Sequence, residues 1–235
     1  MDLNCVICEI TKKTFEVIKK VYDSQKEEKE EEKEKTGRVL ASLNIGSRII
    51  FPMYCSGETR ISEQELRFIF VEQFNAYIKD HKKDHKDLNN LYYSVETPTG
   101  EKDGYIFSKG DEPKIGSEAE PGVSARTDLV IHKYDKNTNT FNRKALIEFK
   151  ALNPVERNYK KDFCKLNEEE CESKYFIQII KNYNAGTIES IRKKIKGKDK
   201  GIIYKCYCLD KGEDITTEIT PDEKCESKST AESTK

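Results

Sequence analysis

The chain has 235 residues, of which 36% are charged and 35% are hydrophobic, and its formal net charge at pH 7 is −1. This length is sufficient for one sizeable core, and the modest apolar content predicts polar extensions around it. Apolar runs of about 18 residues and a secretory leader pattern are absent, so we expect a cytoplasmic protein with no membrane partner and with reduced cysteines. The GxGxxG, Walker A and GxSxG patterns are also absent, which removes the usual grounds for proposing a dehydrogenase, an NTPase or a serine hydrolase.

The first elements predicted from the sequence are a helix and a charged segment. Apolar residues recur at helical spacing at Val6, Ile10, Val17, Ile18 and Val21. They predict an amphipathic helix that packs on the core or on a partner. The charge run from Asp23 to Thr36 predicts either a solvated helix with same-face Glu–Lys pairs or a linker. We assign both to an N-terminal segment of residues 1–39, ahead of a main domain at residues 40–209.

A helix, a strand and a loop are predicted next. Ser62 and Glu65 stand three positions apart at the start of a helical apolar pattern, and this spacing predicts a capping box. The stretch at residues 91–100 is rich in β-forming residues before its closing Pro and Gly, which predicts the first strand of a sheet. The Gly-, Pro- and acid-rich segment at residues 108–124 predicts a long loop.

An antiparallel hairpin is predicted between Asp128 and Lys150, where two apolar runs flank a polar, Asn-rich segment. If the turn centres on Thr138, Asp128 lies directly opposite Glu148. Because side chains alternate between the two faces of a strand, Glu148 and Lys150 share one face and Phe149 points to the other. The hairpin is therefore expected to gather two carboxylates and one ammonium group at one point.

Such a cluster has a chemical use. Opposed residues on neighbouring strands have Cβ atoms about 5 Å apart, and two carboxylates that close repel unless a cation lies between them. Mg²⁺ takes oxygen ligands, commonly one or two protein carboxylates, and completes its shell with water and phosphate oxygens. Lys150 would then orient or help to deprotonate a metal-bound water, or offset the charge on the phosphate. The cluster suits phosphodiester hydrolysis, with Asp128 and Glu148 as metal ligands.

Asp128, Glu148 and Lys150 together resemble the D…(D/E)xK motif of the PD-(D/E)XK, or restriction-endonuclease-like, nuclease superfamily. The residue before Asp128 is Thr127, where the motif has proline. The resemblance implies an α/β fold with a core of order αβββαβ, in which a mixed central sheet is flanked by helices. It also implies hydrolysis of nucleic acid with Mg²⁺, or Mn²⁺ as its substitute. We expect a DNA rather than an RNA substrate, and a role in restriction, phage defence or repair.

The resemblance also implies a further acidic residue beside the metal, on the helix before the first strand. We assign this role to Glu65, with Glu63 as the alternative on the same helix. A third candidate is Glu96, near the end of the first strand. The competing interpretation of Glu65 is a capping role alone, and that of Glu96 is a solvated charge at a strand end.

Four elements and a tail complete the prediction. A short helix at residues 161–170 precedes an apolar segment at residues 174–180, which is either a fourth strand or a continuation of that helix. A helix at residues 187–195 and a last strand at residues 201–209 follow. Residues 210–235 offer little apolar surface and are expected to be a disordered tail.

The overall charge keeps a second hypothesis open. A net charge of −1 is low for a protein that binds phosphates, although local basic clusters can be hidden within it. The second hypothesis is a nuclease-like fold that acts as a binding or scaffold module without turnover, and a homodimer or a partner subunit is an open alternative for the assembly. Basic residues near the motif that are candidates for contacting a phosphate backbone are Arg126, Lys144, Arg157, Lys160 and Lys161.

The cysteines suggest one alternative metal site. Cys5 and Cys8 form a CxxC pair, and Cys206 and Cys208 form a CxC pair, so that the four thiolates would suit zinc. A CxC pair on a strand splays its thiols apart unless the strand bends. We therefore expect no zinc site here.

Overall fold

A computed structural model describes residues 2–31, 47–56, 58–101, 104–108, 112–198 and 201–220, with residues 26–31 described in their backbone only. Its central feature is a mixed six-stranded β-sheet with helices on both faces. The expected α/β class, with a mixed central sheet flanked by helices, is thereby confirmed. Within these ranges, no helix is long and apolar enough to cross a membrane.

The strands are β1 (Leu91–Pro98), β2 (Tyr105–Ile106), β3 (Lys114–Ile115), β4 (Arg126–Asp135), β5 (Thr140–Ala151), β6 (Ser173–Ile180), β7 (Ile203–Cys208) and β8 (Glu213–Asp214). The large sheet has the order β1-β4-β5-β6-β7-β8, and β2 and β3 form a separate two-stranded ladder. β1, β4 and β5 are antiparallel neighbours, whereas β5, β6 and β7 run parallel. Parallel neighbours need crossover connections, which helices supply after β5 and after β6.

The helices are α1 (Leu3–Glu31), α2 (Glu63–His81), α3 (Glu156–Glu168), α4 (Ala185–Ile195) and α5 (Thr216–Ile219), together with a 3₁₀ turn at Lys86–Asn90. α1 and α2 pack on one face of the sheet, in a core that includes Phe70 and Phe149. α3, α4 and α5 pack on the other face, where Phe176 stacks between Phe163 and Tyr204. Since both faces are covered, the central strands have continuous apolar runs rather than an alternating pattern.

Most predicted elements lie where the sequence places them, and one helix starts earlier. The segment at residues 174–180 belongs to a strand, β6, which settles the ambiguity with a helix. α3 begins at Glu156 rather than at Lys161. Tyr159 lies on the apolar side of this helix together with Phe163. This i, i+4 pair extends the helical pattern towards the N-terminus.

β4 and β5 form the predicted hairpin. Leu129 lies opposite Ile147, so the same register, continued by one residue, brings Asp128 next to Glu148. Nearer the turn the register shifts, because Lys144 of β5 is an extra residue without an opposite partner. Such a β-bulge reverses the faces of the residues beyond it. The pairs nearest the turn, such as Asp135 with Thr140, would by themselves place Asp128 opposite Ile147. The one-residue shift at the bulge is therefore what brings Asp128 opposite Glu148.

The N-terminal helix packs on the core of the main domain. Apolar residues of α1, among them Ile10, are buried with residues of the sheet. Phe15 stacks on Tyr207 of β7 with 5.0 Å between ring centroids. The helix continues to Glu31 and so includes part of the charge run, whose remainder falls in residues 32–46, outside the described residues. The boundary predicted at residue 39 therefore does not separate two cores.

The predicted loop at residues 108–124 is tied back to the sheet. Its short strand β3 pairs with β2. The Glu169 carboxylate, just beyond α3, accepts hydrogen bonds from Gly100 N at 2.8 Å, the Tyr105 hydroxyl at 2.9 Å and Arg143 at 3.0 Å. One buried acid thus joins the end of β1, the strand β2 that pairs with the loop, and β5.

The prediction of a disordered tail from residue 210 was wrong for residues 210–220. These residues form β8 and α5, and the side chains of Ile215 and Ile219 are 0% and 3% exposed. Both belong to the core that α3 and α4 cover. Two isoleucines four positions apart share one side of a helical turn. A small apolar surface is therefore enough to order this segment, because all of it is buried. Residues 221–235 lie outside the described residues.

Truncation of Ile215 tests whether residues 210–220 are part of the folded core. We expect Ile215→Ala to lower the free energy of unfolding by about 2–5 kcal/mol, because it removes buried methyl groups and leaves a cavity. Thr217 is exposed on the same turn, and Thr217→Ala should change stability by no more than about 0.5 kcal/mol. The free energies of unfolding of the two variants are measured by urea unfolding. Equal values would indicate that residues 210–220 are disordered, as the sequence predicted.

Candidate active site

The end of the β4–β5 hairpin brings Asp128, Glu148 and Lys150 to one side of the sheet. Phe149 is buried in the core beneath α2, where its ring centroid lies 5.4 Å from that of Phe70. Glu148 and Lys150 instead meet charged residues of α3 on the opposite face. The backbone N–H of Phe149 donates a hydrogen bond of 2.8 Å to Asp128 Oδ2. This bond fixes the Asp128 carboxylate at the point where β5 turns Glu148 towards α3.

A chain of four ion pairs links these residues to α2 and α3. Lys150 Nζ lies 3.1 Å from Glu63 Oε1 and 2.5 Å from Asp162 Oδ2. Lys165 Nζ lies 3.1 Å from Asp162 Oδ1 and 2.6 Å from Glu148 Oε1. Asp162 therefore bridges the two ammonium groups, and each ammonium group lies between two carboxylates.

The cluster carries more negative than positive charge. Its ionisable residues are Glu63, Asp128, Glu148, Lys150, Asp162 and Lys165. With four carboxylates and two ammonium groups, its formal charge is −2 when all are ionised. Glu148 and Lys150 are 1% and 6% exposed, so water screens little of this charge. A buried excess of negative charge is costly unless protons or a cation balance it.

Burial shifts the pKa values of the carboxyl groups upward. Desolvation raises the pKa of Glu148 well above its usual value of 4.5, although the Lys165 ammonium group opposes this shift. Desolvation also raises the pKa values of Asp128 and Glu63. These carboxyl groups therefore bind a proton more readily than exposed ones.

The pKa values of the two lysines are shifted in the direction that keeps them charged. Desolvation alone would lower the pKa of Lys150, but the carboxylates of Asp162 and Glu63 outweigh it, and the pKa lies above the usual 10.5. The pKa of Lys165 is raised in the same way, because Glu148 and Asp162 outweigh its burial. Both lysines are therefore cations at neutral pH.

The donor atoms of the cluster fit a hard divalent cation in chemistry and charge. Carboxylate oxygens are the ligands that Mg²⁺ takes from proteins. Glu148 Oε1 is buried, and its contact with Lys165 is an ion pair without hydrogen-bond geometry. Across the described ranges, however, no three His, Cys, Asp or Glu side chains are arranged as a group that could hold a metal ion. Asp128 and Glu148 would hold the ion once Lys165 withdraws from Glu148.

Glu63, and not Glu65, is the acid of α2 that meets Lys150. Positions two apart on a helix do not face the same side, so the two glutamates cannot take the same place. Glu65 accepts a hydrogen bond from the Ser62 hydroxyl, while the Ser62 side chain makes no capping hydrogen bond to the helix. The predicted reciprocal capping box is thus replaced by a bond between the two side chains. Of the two glutamates considered for a place beside the metal, Glu63 is thus the one in contact with the cluster.

Asp162 and Lys165 were missed by sequence reasoning. Both lie on α3, and both are nearly buried, at 8% exposure each. The sequence did contain an indication that Asp162 is buried. It stands three residues after Tyr159 and four residues before Leu166, and so lies on the same side of the helix as these two apolar residues. A charged residue within an apolar helical stripe indicates a buried partner of opposite charge.

A cleft of about 340 Å³ opens beside Asp128. Its charged lining residues are Arg60, Glu63, Arg67, Glu96 and Asp128. Glu96 reaches this cleft but pairs with Arg67 rather than with a lysine of the cluster. A ligand in the cleft therefore has access to Asp128 and Glu63 from solvent.

The two cysteine pairs considered for zinc lie in different parts of the fold. Cys5 and Cys8 belong to α1, which packs on one face of the sheet. Cys206 and Cys208 are buried in the core on the opposite face. The sheet separates the two pairs, so they cannot bind one zinc ion together.

Comparisons of the chain with protein-family models, with curated proteins and with solved structures find no match in any of the three. The resemblance to the nuclease superfamily therefore rests on the three motif residues and on their surroundings.

Replacement of Asp128 by asparagine tests the charge excess. Burial raises the pKa of Asp128 in the folded protein above its value of 3.8 when exposed. The folded state therefore binds the proton more tightly, and ionisation costs stability as the pH rises above about 4. Asp128→Asn removes this cost and keeps an acceptor for Phe149 N–H. In EDTA, we expect a thermal midpoint higher by a few degrees at about pH 7.5, and a smaller gain at about pH 4.

Asp80→Asn is the matched control, because Asp80 is exposed on α2. Its thermal midpoint should follow that of the unaltered protein at both pH values. A gain for Asp128→Asn that does not depend on pH would show that charge is not its cause.

Proposed function

We propose that the chain is a divalent-metal-dependent nuclease with a restriction-endonuclease-like fold, which hydrolyses phosphodiester bonds of DNA. The observation that carries this proposal is the convergence of Asp128, Glu148 and Lys150 at the end of one hairpin, next to an open cleft. The order of elements supports it. When the short β2–β3 ladder is set aside, α2, β1, β4, β5, α3 and β6 follow one another in the order αβββαβ.

Mg²⁺, or Mn²⁺ in its place, is the cofactor that we infer for this site. Asp128 and Glu148 would hold it, because carboxylate oxygens are the ligands that Mg²⁺ takes from proteins and both carboxyl groups belong to the cluster. A divalent ion bound there supplies an acidified water and neutralises charge on the phosphate. The formal charge of −2 in the cluster is the charge that such an ion would balance.

We assign Lys150 the role of a side chain that stays positively charged throughout the reaction. Its pKa lies above the usual value because Asp162 and Glu63 outweigh its burial, so its ammonium group donates hydrogen bonds and does not accept a proton. Orienting the attacking water and offsetting the charge on the phosphate are thereby favoured over deprotonating the water. Asp162 and Glu63 are positioning residues, which hold the ammonium group at the end of the sheet.

Lys165 is assigned a different part. Its ammonium group pairs with Glu148 at 2.6 Å and donates a hydrogen bond of 2.9 Å to the Arg126 carbonyl oxygen. In this position it neutralises Glu148, which lowers the cost of burying that carboxylate. If Glu148 turns to another cation, Lys165 keeps Asp162 as its partner at 3.1 Å. The exchange would therefore leave no ammonium group unpaired.

A second candidate function is a nuclease-like fold that binds nucleic acid or a partner subunit without turnover. The observation in its favour is the Lys165–Glu148 contact, because a lysine that never released Glu148 would exclude the ion. Assembly as a homodimer or with a partner subunit is compatible with either function. It stays a prediction, as does a role in restriction, phage defence or repair.

Cleavage assays on a panel of single- and double-stranded DNA and RNA test the nuclease function. With Mg²⁺ or Mn²⁺, Asp128→Ala and Glu148→Ala should lose activity by at least about 100-fold, because each removes a proposed metal ligand. Lys150→Ala should lose activity to a similar extent and still bind the metal, as measured by calorimetry.

Glu189→Ala is the control, because Glu189 is exposed on α4, away from the cluster. It should cleave at the rate of the unaltered protein. If that protein cleaves none of the four substrates with either metal ion, the nuclease function is wrong, and binding of nucleic acid without cleavage would favour the second candidate.

A further inference from the structure

Two arginines and a glutamate border the cleft beside Asp128 and take no part in the ion pairs of the cluster. Arg60 precedes α2, Arg67 lies within α2, and Glu96 lies in β1. Asp128 lies on β4, so separate elements of the fold converge on one cleft of about 340 Å³. The lining of the cleft thus carries two guanidinium groups as well as the Asp128 carboxylate.

Arg67 is held in place for binding an anion. Its side chain is 11% exposed, and its guanidinium group pairs with the Glu96 carboxylate and donates a hydrogen bond of 3.0 Å to Gln64 Oε1. The Glu96 side chain is 46% exposed, so it can move aside into solvent. Arg60 makes no side-chain hydrogen bond or ion pair with any residue that the structure describes. One guanidinium group is therefore preorganised, and the other is available.

Glu96 has a strained backbone where it meets Arg67. Its φ is 48°, in the left-handed region that residues with a side chain rarely adopt. Its neighbours Val95 and Thr97 pair regularly with β4, so the distortion is confined to the position next to Asp128. Strain of this kind persists where the surroundings impose it, and it is frequent at binding sites.

We propose that Arg60 and Arg67 bind a backbone phosphate of the nucleic acid next to the phosphate that is cleaved, and that Glu96 holds Arg67 until this phosphate displaces it. The inference rests on the proposed nuclease function, since both concern one cleft. A guanidinium group presents paired N–H donors that match phosphate as well as carboxylate. The exposed Glu96 carboxylate therefore occupies a position on Arg67 that a phosphodiester group can take instead.

Three of the basic residues near the motif already have partners. Of those that the sequence singled out, Lys144 pairs with Glu172 and Lys160 pairs with Glu112. Arg157 donates to a backbone carbonyl of the loop. Arg60 and Arg67, which the sequence did not single out, are the arginines that line the cleft. A local pair of arginines explains how a chain with a net charge of −1 can hold a phosphate backbone.

The test is binding of labelled oligonucleotides to the full chain in EDTA, measured by fluorescence anisotropy over a range of salt concentrations. Arg60→Ala and Arg67→Ala should each weaken binding about tenfold. Each should also reduce the slope of log K against log salt by about one, because one phosphate contact is lost. Arg67→Lys, which keeps the charge, should recover part of the affinity.

Glu96→Gln should act in the opposite direction. It removes the carboxylate that competes for Arg67, so binding should tighten, and this gain should vanish when Arg67→Ala is combined with it. A purely structural role of the Arg67–Glu96 pair would weaken binding in both single variants. Lys193→Ala, at a side chain that is 74% exposed on α4, is the control and should bind as the unaltered protein does.

The outcomes separate this inference from the nuclease function. If both arginine variants bind as tightly as Lys193→Ala while the unaltered protein cleaves, the inference is wrong and the nuclease function stands. If the unaltered protein neither binds nor cleaves any nucleic acid, both are wrong. Loss of binding in both arginine variants of a chain that cleaves nothing supports the phosphate site and the second candidate function. Release of the oligonucleotide by micromolar inorganic phosphate would show a site for small phosphates and would overturn the inference.

Discussion

Glu148 and Lys150 are charged side chains of β5 that are buried beneath α3. Ion pairs with Lys165 and Asp162 of α3 offset the free-energy cost of this burial. Removing one partner from a buried pair costs about 3–5 kcal/mol, because the charge left behind has neither water nor a counter-charge. Each ammonium group here lies between two carboxylates. α3 is therefore held to β5 by charge as well as by its apolar side. The position of this helix, and with it the geometry of the whole cluster, depends on these contacts.

The same cluster is under electrostatic tension, since its carboxylates outnumber its ammonium groups. Burial raises the pKa values of Asp128 and Glu148, so both carboxyl groups hold a proton more tightly in the folded chain than in the unfolded one. Strain also appears in the backbone of Glu96, the neighbour of Asp128 on β1. Features that cost stability and meet at one open cleft are typical of a binding or catalytic site. They lie where β4 begins and β5 ends, and the remaining sheet supplies a rigid support.

Much of the fold could be predicted, because it depends on local periodicity. Apolar runs bounded by turn residues identified the strands, and helical spacing identified the helices. The elements that the sequence did not predict correctly depend on packing against distant parts of the chain. Ile215 and Ile219 are only two apolar residues in a polar segment, and their burial depends on a core built by distant elements. Tyr159 extended α3 beyond its predicted start because the sheet offered its ring a place to pack. Neither fact follows from composition.

The sequence by itself determined that Glu148 and Lys150 share one face of β5, because side chains alternate along a strand. The bulge at Lys144, which the sequence pattern does not reveal, sets the register that places Asp128 beside Glu148. Only the tertiary structure decided what surrounds them. Asp162 reaches the cluster because α3 crosses β5 at that point, and Glu63 reaches it because α2 begins at the end of the sheet. Contacts between elements depend on packing angle and helix rotation, which the pattern of one element does not contain.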